Sequence, residues 1–181
     1  MQLLQEIAQK IKDQGGQAFL VGGCVRDKLL GIVSKDIDVE VYGLSLDRLK
    51  DILSLFGPVD LVGKSFGVLK IKGTNIDFAL PRQEIKVGKG HKGFKITLDP
   101  FSSFKDAAKR RDFTINAILE NILTSEIIDP FDGLKDLNRG LIRHIDTNSF
   151  PEDPLRVYRA AQFAGRFQKK NWCLYDVLTP C

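Results

Sequence analysis

Apolar residues recur along this chain with two periods, and the switches between them predict the elements. Leu4, Ile7, Ala8 and Ile11 fall at helical spacing over residues 1–14, and Gly15-Gly16 closes that helix. Phe19, Leu20 and Val21 form a short apolar run that stops at Gly22-Gly23, a strand ending in a sharp turn. Residues 24–30 read as a short helix ended by Gly31. Acid and aliphatic then alternate over 36–41. On a strand, period two sends Asp36, Asp38 and Glu40 to one face and Ile37, Val39 and Val41 to the other. Ser45 caps a helix with Leu46, Leu49, Ile52, Leu53 and Phe56 on one stripe, ended by Gly57. From Pro58 the period is two again: strands over 59–62 and 68–72, a turn at Gly73-Thr74, and a returning strand over 75–79.

The second half is less regular. Residues 82–101 hold Lys86, Lys89, Lys92 and Lys95 among Gly88, Gly90 and Gly93, the composition of a mobile basic loop. It serves either as a flexible element near a nucleotide or an RNA end, or as a solvated loop. His91 has no Cys or His neighbour with which to bind metal. Ser103 caps a helix running to Lys109. Pro130 and Gly133 suit a turn into a short helix, and 141–145 reads as a short strand with His144 in a structural role. Pro151, Glu152 and Asp153 ahead of an apolar pattern mark another helix start.

Composition narrows the class. At 181 residues the chain is one ordinary domain with the start of another, and an apolar share of 43% supports a core. Its 27 basic and 23 acidic residues give +4, which permits a nucleic-acid partner without requiring one. Three cysteines without metal-ligand spacing, and no leader sequence, suit a reducing cytoplasm. No apolar run approaches the ~20 residues of a membrane span.

The candidate chemistry concentrates at four places. Gly22-Gly23 lets backbone approach a ligand closely, and Arg26 lies within one helical turn of it, placed to meet the same anion. Asp36 and Asp38, at i, i+2, can chelate a hard divalent cation, and Mg²⁺ is the usual choice beside phosphate. Asp77 lies on a nearby strand, either as a third carboxylate or as an exposed edge acid. Arg110-Arg111 can neutralise a triphosphate, while Asp112 or Asn116 can hydrogen-bond a ribose hydroxyl or neighbouring backbone. Asp153 and Arg156 are three apart, on one helical face that Arg159 extends.

These pieces together resemble the tRNA nucleotidyltransferase/poly(A) polymerase family, in the branch of bacterial CCA-adding enzymes. The strand, Gly22-Gly23, Arg26 and Asp36-x-Asp38 resemble its motif A. Arg110-Arg111-Asp112-Phe113-Thr114-Ile115-Asn116-Ala117 matches its motif B position for position. Residues 127–137 resemble its hinge motif, and Glu152-Asp153 with Arg156 its motif D, the amino-acid template for the incoming base. The resemblance implies an α/β (α+β) polymerase-β-like head: a mixed, mostly antiparallel sheet of about five strands with packed helices, plus the first helix of a neck. It puts the head at 1–146 and the neck start at 147–181. It implies template-independent CCA addition from CTP and ATP to the 3′ end of tRNA. Asp36, Asp38 and Asp77 would serve two Mg²⁺ ions ~3.5–4 Å apart, the metals resting on Asp36 and Asp38. Gly22, Gly23, Arg26, Arg111, Asp112 and Asn116 would grip phosphates or sugar; Asp153, Arg156 and Arg159 would face base and triphosphate. Gln162 departs from the arginine that relatives often carry there. The resemblance covers about 17–167, and 168–181 match nothing expected. Poly(A) polymerase and A-adding or CC-adding specialists share this chemistry; the full-length loop argues against the last. A nucleotide-binding module that no longer transfers is the alternative of another class. On the CCA-adding reading, grip on tRNA would come from self-association or from a second chain carrying body and tail; Trp172, Leu174, Tyr175, Val177 and Leu178 would serve either as apolar contacts or cover a neck surface.

Overall fold

A computed structural model describes residues 2–62, 67–86, 94–147, 150, 153–167 and 173–175. The chain runs α1 (Gln2–Asp13), β1 (Gln17–Val21), α2 (Gly23–Leu29), β2 (Ile37–Tyr42), α3 (Leu46–Ser54), β3 (Val59–Val62), β4 (Val68–Ile71) and β5 (Ile76–Ala79). It continues β6 (Arg82–Lys86), β7 (Phe94–Leu98), α4 (Phe104–Ala108), a 3₁₀ turn (Thr114–Asn116), β8 (Leu119–Asn121), β9 (Ile127–Ile128), α5 (Gly133–Arg139), β10 (Leu141–Arg143), α6 (Leu155–Phe167) and β11 (Cys173–Tyr175).

Seven strands form the main sheet in the order β3-β4-β5-β2-β1-β8-β9, so the expected count of about five is low by two. The strands that sequence patterning missed, β8 and β9, are three and two residues long, too short to show a period. Every pairing in this sheet is antiparallel except β2 with β5, as expected for a mixed, mostly antiparallel sheet. The expected basic loop is corrected in part: β6 and β7 pair antiparallel from Arg82↔Leu98 to Lys86↔Phe94. Lysine and glycine content hid that hairpin, although Phe94, Ile96 and Leu98 of β7 alternate with Lys95 and Thr97 in the sequence; β6 offers one apolar residue, Ile85, and shows no such period. Residues 87–93, with Lys89, His91 and Lys92, lie outside the described residues, as do the side chains of Lys86 and Lys95 and the apolar side chains of the tail.

The sheet is covered on both faces because β1 and β2 carry apolar residues on both. Ala18, Leu20, Val39 and Val41 pack with Leu4, Ile7 and Ile11 of α1 and Leu49, Ile52 and Leu53 of α3. Phe19, Val21 and Tyr42 pack on the other side with Ala107 and Phe104 of α4. Ser45 and Ser103 cap α3 and α4 as predicted, accepting from the backbone amides of Arg48 and Asp106.

A second apolar cluster lies beyond the sheet. Phe113, Ile115, Leu137 and Ile142 meet Phe150, Ala160, Phe163 and Phe167, so the core passes without a break across the expected boundary at 146. Gly133 makes this packing possible. A Cβ there would fall 2.3 Å from the Thr114 carbonyl oxygen, so only glycine lets α5 dock on the 3₁₀ turn. Asp129 caps α5 by accepting from the amides of Gly133 and Leu134, both at 2.8 Å. Asp136, buried, accepts from Thr114 Oγ1 at 2.7 Å and pairs with Arg143 at 3.1 Å.

Candidate active site

After β1 the chain reverses at Gly22 with φ 72°, in the left-handed region. An added Cβ there would sit 3.1 Å from the Arg111 guanidinium and 3.8 Å from the Asp38 carboxylate. Bare backbone thus reaches the edge of a cavity of about 560 Å³. Walls come from the Gly22 turn with α2, from β2, from residues 110–116 and from α6.

One side of the site is acidic. Asp38 projects from β2, Asp36 occupies the bend just before it, and Asp77 is the direct neighbour of Asp38 across the parallel β2–β5 pair. Asp38 and Asp77 also line an adjoining cavity of about 230 Å³ with Glu40, Arg82, Arg110 and Arg111. Lys70, opposite Asp77 in the β4–β5 register, reaches its carboxylate at 2.8 Å. The Asp38 carboxyl keeps an open face, yet loss of solvent around it raises its pKa above the usual range. Arg111 opposes that shift, and Asp77 and Asp36 reinforce it. Among the described residues no three acidic, His or Cys side chains converge closely enough to cage a metal ion by themselves. An incomplete set of hard oxygen donors fits Mg²⁺, which keeps several waters and takes substrate phosphate as a further ligand.

The other side is cationic. Arg26, Arg82, Arg110, Arg111, Arg156, Arg159 and Arg166 line the large cavity against Asp38, Asp112 and Asp153. Buried carboxylates aim these arginines. Glu40, 2% exposed, takes Arg110 on one oxygen at 2.8 Å and Arg111 on the other at 3.1 Å. Burial alone pushes the Glu40 carboxyl up, but Arg111 and Arg110 outweigh it and hold the pKa below the usual range. Arg111 also reaches the Asn116 carbonyl at 3.4 Å.

Arg26, Asp112 and Asn116 face the cavity but are engaged within the protein. Arg26, 3% exposed, donates to Asp27 at 2.8 and 3.0 Å and to Asn116 Oδ1 at 2.6 Å, so its guanidinium does not reach freely into the cavity. Asp112 Oδ1 accepts from the Phe113 amide at 2.9 Å and from Asn116 Nδ2 at 3.0 Å. Neighbouring backbone, one of the two partners that sequence left open for Asp112, is thus among its contacts. Asp153 precedes α6 rather than lying on its face: its Oδ1 accepts from the Leu155 amide at 3.0 Å, the geometry of a helix cap. Arg156 donates to the Arg110 carbonyl at 3.1 Å, and Arg159 pairs with Asp112 at 2.7 Å.

The sequence profile of the Poly A polymerase head domain matches residues 18–143, most of the chain. The chain belongs to this poly(A) polymerase head-domain family. It is 43% identical over 154 residues to the Multifunctional CCA protein of Nitrosococcus oceani, covering 85% of this chain and 36% of that protein. It therefore spans about a third of the length of the curated relatives it matches. Its fold superposes on the Bacillus stearothermophilus CCA-adding enzyme in complex with CTP, with TM-score 0.77, 31% identity and coverage of 97% of this chain and 40% of that one. For the Thermotoga maritima CCA-adding enzyme complexed with tRNA_CCA the values are 0.75, 30%, 97% and 39%. Structural likeness thus extends past the 17–167 span visible in sequence motifs.

The large cavity brings together every sequence-predicted site residue except Asp36 and Asp77, and Asp77 lines the adjoining one. Gln162 faces the cavity too. Sequence reading missed Glu40 as the residue that aims Arg110 and Arg111, and missed the contributions of Arg82, Phe163 and Arg166. Glu40 was visible on the acidic face of its strand, but nothing in the sequence names its partners 70 and 71 residues away.

Proposed function

We propose that this chain is the catalytic and nucleotide-selecting head of a template-independent nucleotidyltransferase that adds CCA, from CTP and ATP, to the 3′ end of tRNA. Residues 1–146 form the head and 147–181 begin the neck. One observation carries the reading: a carboxylate-bearing strand pair and an arginine-lined wall meet at two adjoining cavities that share Asp38, Arg82, Arg110 and Arg111, in a chain of the poly(A) polymerase head-domain family.

Asp36 and Asp38, with Asp77 beside them, would hold divalent cations, Mg²⁺ by donor type. When bound, these lower the pKa of the attacking 3′-hydroxyl and neutralise the triphosphate. The chain's own residues orient the substrates. The hydroxyl attacks the α-phosphate in line, and pyrophosphate leaves opposite. Gly22 and Gly23 present backbone that does not obstruct the phosphates, and Arg110 and Arg111 are pre-aimed by Glu40. Asp153 and Arg156 offer an acceptor and donors to the Watson–Crick edge of C or A, which U and G do not match. Arg159 joins them from the same helix. A cytoplasmic location accompanies this reading. No helix among the described residues is long and apolar enough to cross a membrane.

Incubating the chain with tRNA lacking its 3′ end and each labelled nucleoside triphosphate, with Mg²⁺, tests the proposal. We expect preference for CTP and ATP in binding, with weak transfer that rises with protein concentration or on adding a chain that supplies body and tail. Specific grip on a folded RNA needs a shape-matched surface and several phosphate contacts, and a net charge of +4 supplies little of that. Binding without preference for C or A would overturn the templating roles. No transfer under any of these conditions would favour a binding module.

A further inference from the structure

The polar side chains behind α6 form a closed ring. Arg166 of α6 pairs with Asp27 Oδ2 at 2.9 Å, and Asp27 Oδ1 takes Arg26 at 2.8 Å. Arg26 donates to Asn116 at 2.6 Å, Asn116 donates to Asp112 at 3.0 Å, and Asp112 takes Arg159 of α6 at 2.7 Å. The ring leaves α6 at Arg159 and returns seven residues later, two turns along the same face, about 10 Å apart on the helix axis. Between these points Phe163 lies under Arg26, with 4.7 Å from guanidinium carbon to ring centroid, and Phe167 lies 5.6 Å from the same carbon.

Apolar packing alone leaves a helix free to roll, because hydrophobic contact has no direction. Phe163, Phe167 and Ala160 attach α6 to the second core cluster and Arg156 donates to the Arg110 carbonyl, contacts that restrain the roll of the helix less sharply than ion pairs. Two ion pairs at separate turns do fix it, since rolling the helix breaks both. The side chains so oriented are those proposed to read the base, Arg156 and Arg159 on the first turns of the same helix and Asp153 at its cap. A base edge read by hydrogen bonds tolerates little displacement, and about 1 Å is enough to matter.

We propose that Asp27 and Arg166 are positioning residues for nucleotide selection: through the ring they set the roll of α6, and so the aim of Asp153, Arg156 and Arg159 at the base. This rests on the nucleotide-selecting role proposed above and adds residues outside the templating motif. Asp27 belongs to α2 and Arg166 to the far end of α6, 139 residues apart.

The test compares binding of CTP, ATP, UTP and GTP with Mg²⁺ by the unsubstituted chain and by Arg166→Met, Arg166→Lys and Asp27→Asn, with thermal unfolding of each. The Arg166 side chain is 43% exposed, so its replacement is expected to fold; buried Asp27 is the second, riskier probe. We expect Arg166→Met to reduce the preference for CTP and ATP over UTP and GTP by roughly three- to tenfold. Arg166→Lys, which keeps a cation within reach of Asp27, should restore most of it. A merely structural role would lower stability and leave the preference unchanged. Unchanged preference in Arg166→Met, or equal loss for all four nucleotides, would overturn the inference. If the unsubstituted chain shows no preference, the functional reading itself fails and the inference falls with it.

Discussion

The two sides of the cavity are built on opposite principles. On the acidic side, Asp38 and Asp77 come from adjacent strands with Asp36 in the bend before the first, and the parallel register of β2 on β5 puts Asp38 beside Asp77. Three carboxylates lie near one another with two protein cations close by, Lys70 in a half-exposed pair with Asp77 and Arg111 near Asp38. On the arginine side guanidinium groups are held by carboxylates, mostly from distant elements: Arg110 and Arg111 by Glu40, Arg166 by Asp27, Arg159 by Asp112, and Arg26 by its neighbour Asp27. One side is left in need of charge from outside, and the other is neutralised and stiffened from within. An acidic surface with unmet charge takes up cations. A cationic surface whose side chains are fixed in advance takes up anions without reorganising.

Removing charge from the acidic side should abolish chemistry and spare the fold. Asp38→Ala is expected to reduce nucleotidyl transfer by several powers of ten, because metal charge stabilisation is worth several kcal/mol. Thermal unfolding should move little, since Asp38 is open to solvent. Single-turnover transfer with Mg²⁺ checks this, and near-normal turnover would remove Asp38 from the metal site.

The same operation on the arginine side should harm the fold as well. Glu40→Ala leaves two largely buried guanidinium groups without a counter-ion. It is expected to cost about 3 kcal/mol or more in denaturant unfolding, with loss of triphosphate affinity. The pH dependence has a definite sign. The folded-state pKa of Glu40 is depressed, so its stabilisation is present above the unfolded carboxyl value of about 4.3 and drains away as pH falls through the lower folded value. Glu40→Gln should flatten that acid limb. An unchanged limb would show that other carboxylates govern it.

Asp153 lies between the two types, a helix cap that also faces the cavity. Asp153→Ala should relax nucleotide choice by about 1–3 kcal/mol and weaken the start of α6 by about 1 kcal/mol. Asp153→Ser should relax choice equally while keeping the cap. If serine retains the discrimination, the carboxylate does not read the base.

The smallest effect is expected at Lys70. Its ammonium competes with a cation for Asp77, so Lys70→Met should tighten Mg²⁺ binding about two- to fivefold, in line with the weakness of exposed pairs. Titration of binding against Mg²⁺ concentration measures it, and weaker Mg²⁺ binding would give Lys70 a supporting role instead.

Short-range regularity in the sequence was enough for the Asp36–Asp38 pair and for most of the frame, while the place of Asp77 beside Asp38 came from the pairing of β2 with β5. Alternation over 36–41 put Asp36 and Asp38 on one face and Val39 and Val41 in the core, and helical spacing gave α1 and α3 with their buried stripes. Motif B marked Arg111, Asp112 and Asn116 because that segment keeps its residue order. Partner choice across the fold was not legible. Glu40 looked like one more acid on the open face, yet the sheet carries it under Arg110 and Arg111, where it is buried and paired. Arg26 looked like a phosphate ligand, yet it lies against Phe163 and Phe167 and bonds Asp27 and Asn116. Asp153 looked like one member of a helical row, yet it stops short of the helix it caps. Periodicity determines which face a side chain takes, because that depends on the backbone geometry of its own element. Which charge meets which depends on how distant elements cross, and only the tertiary structure decides that.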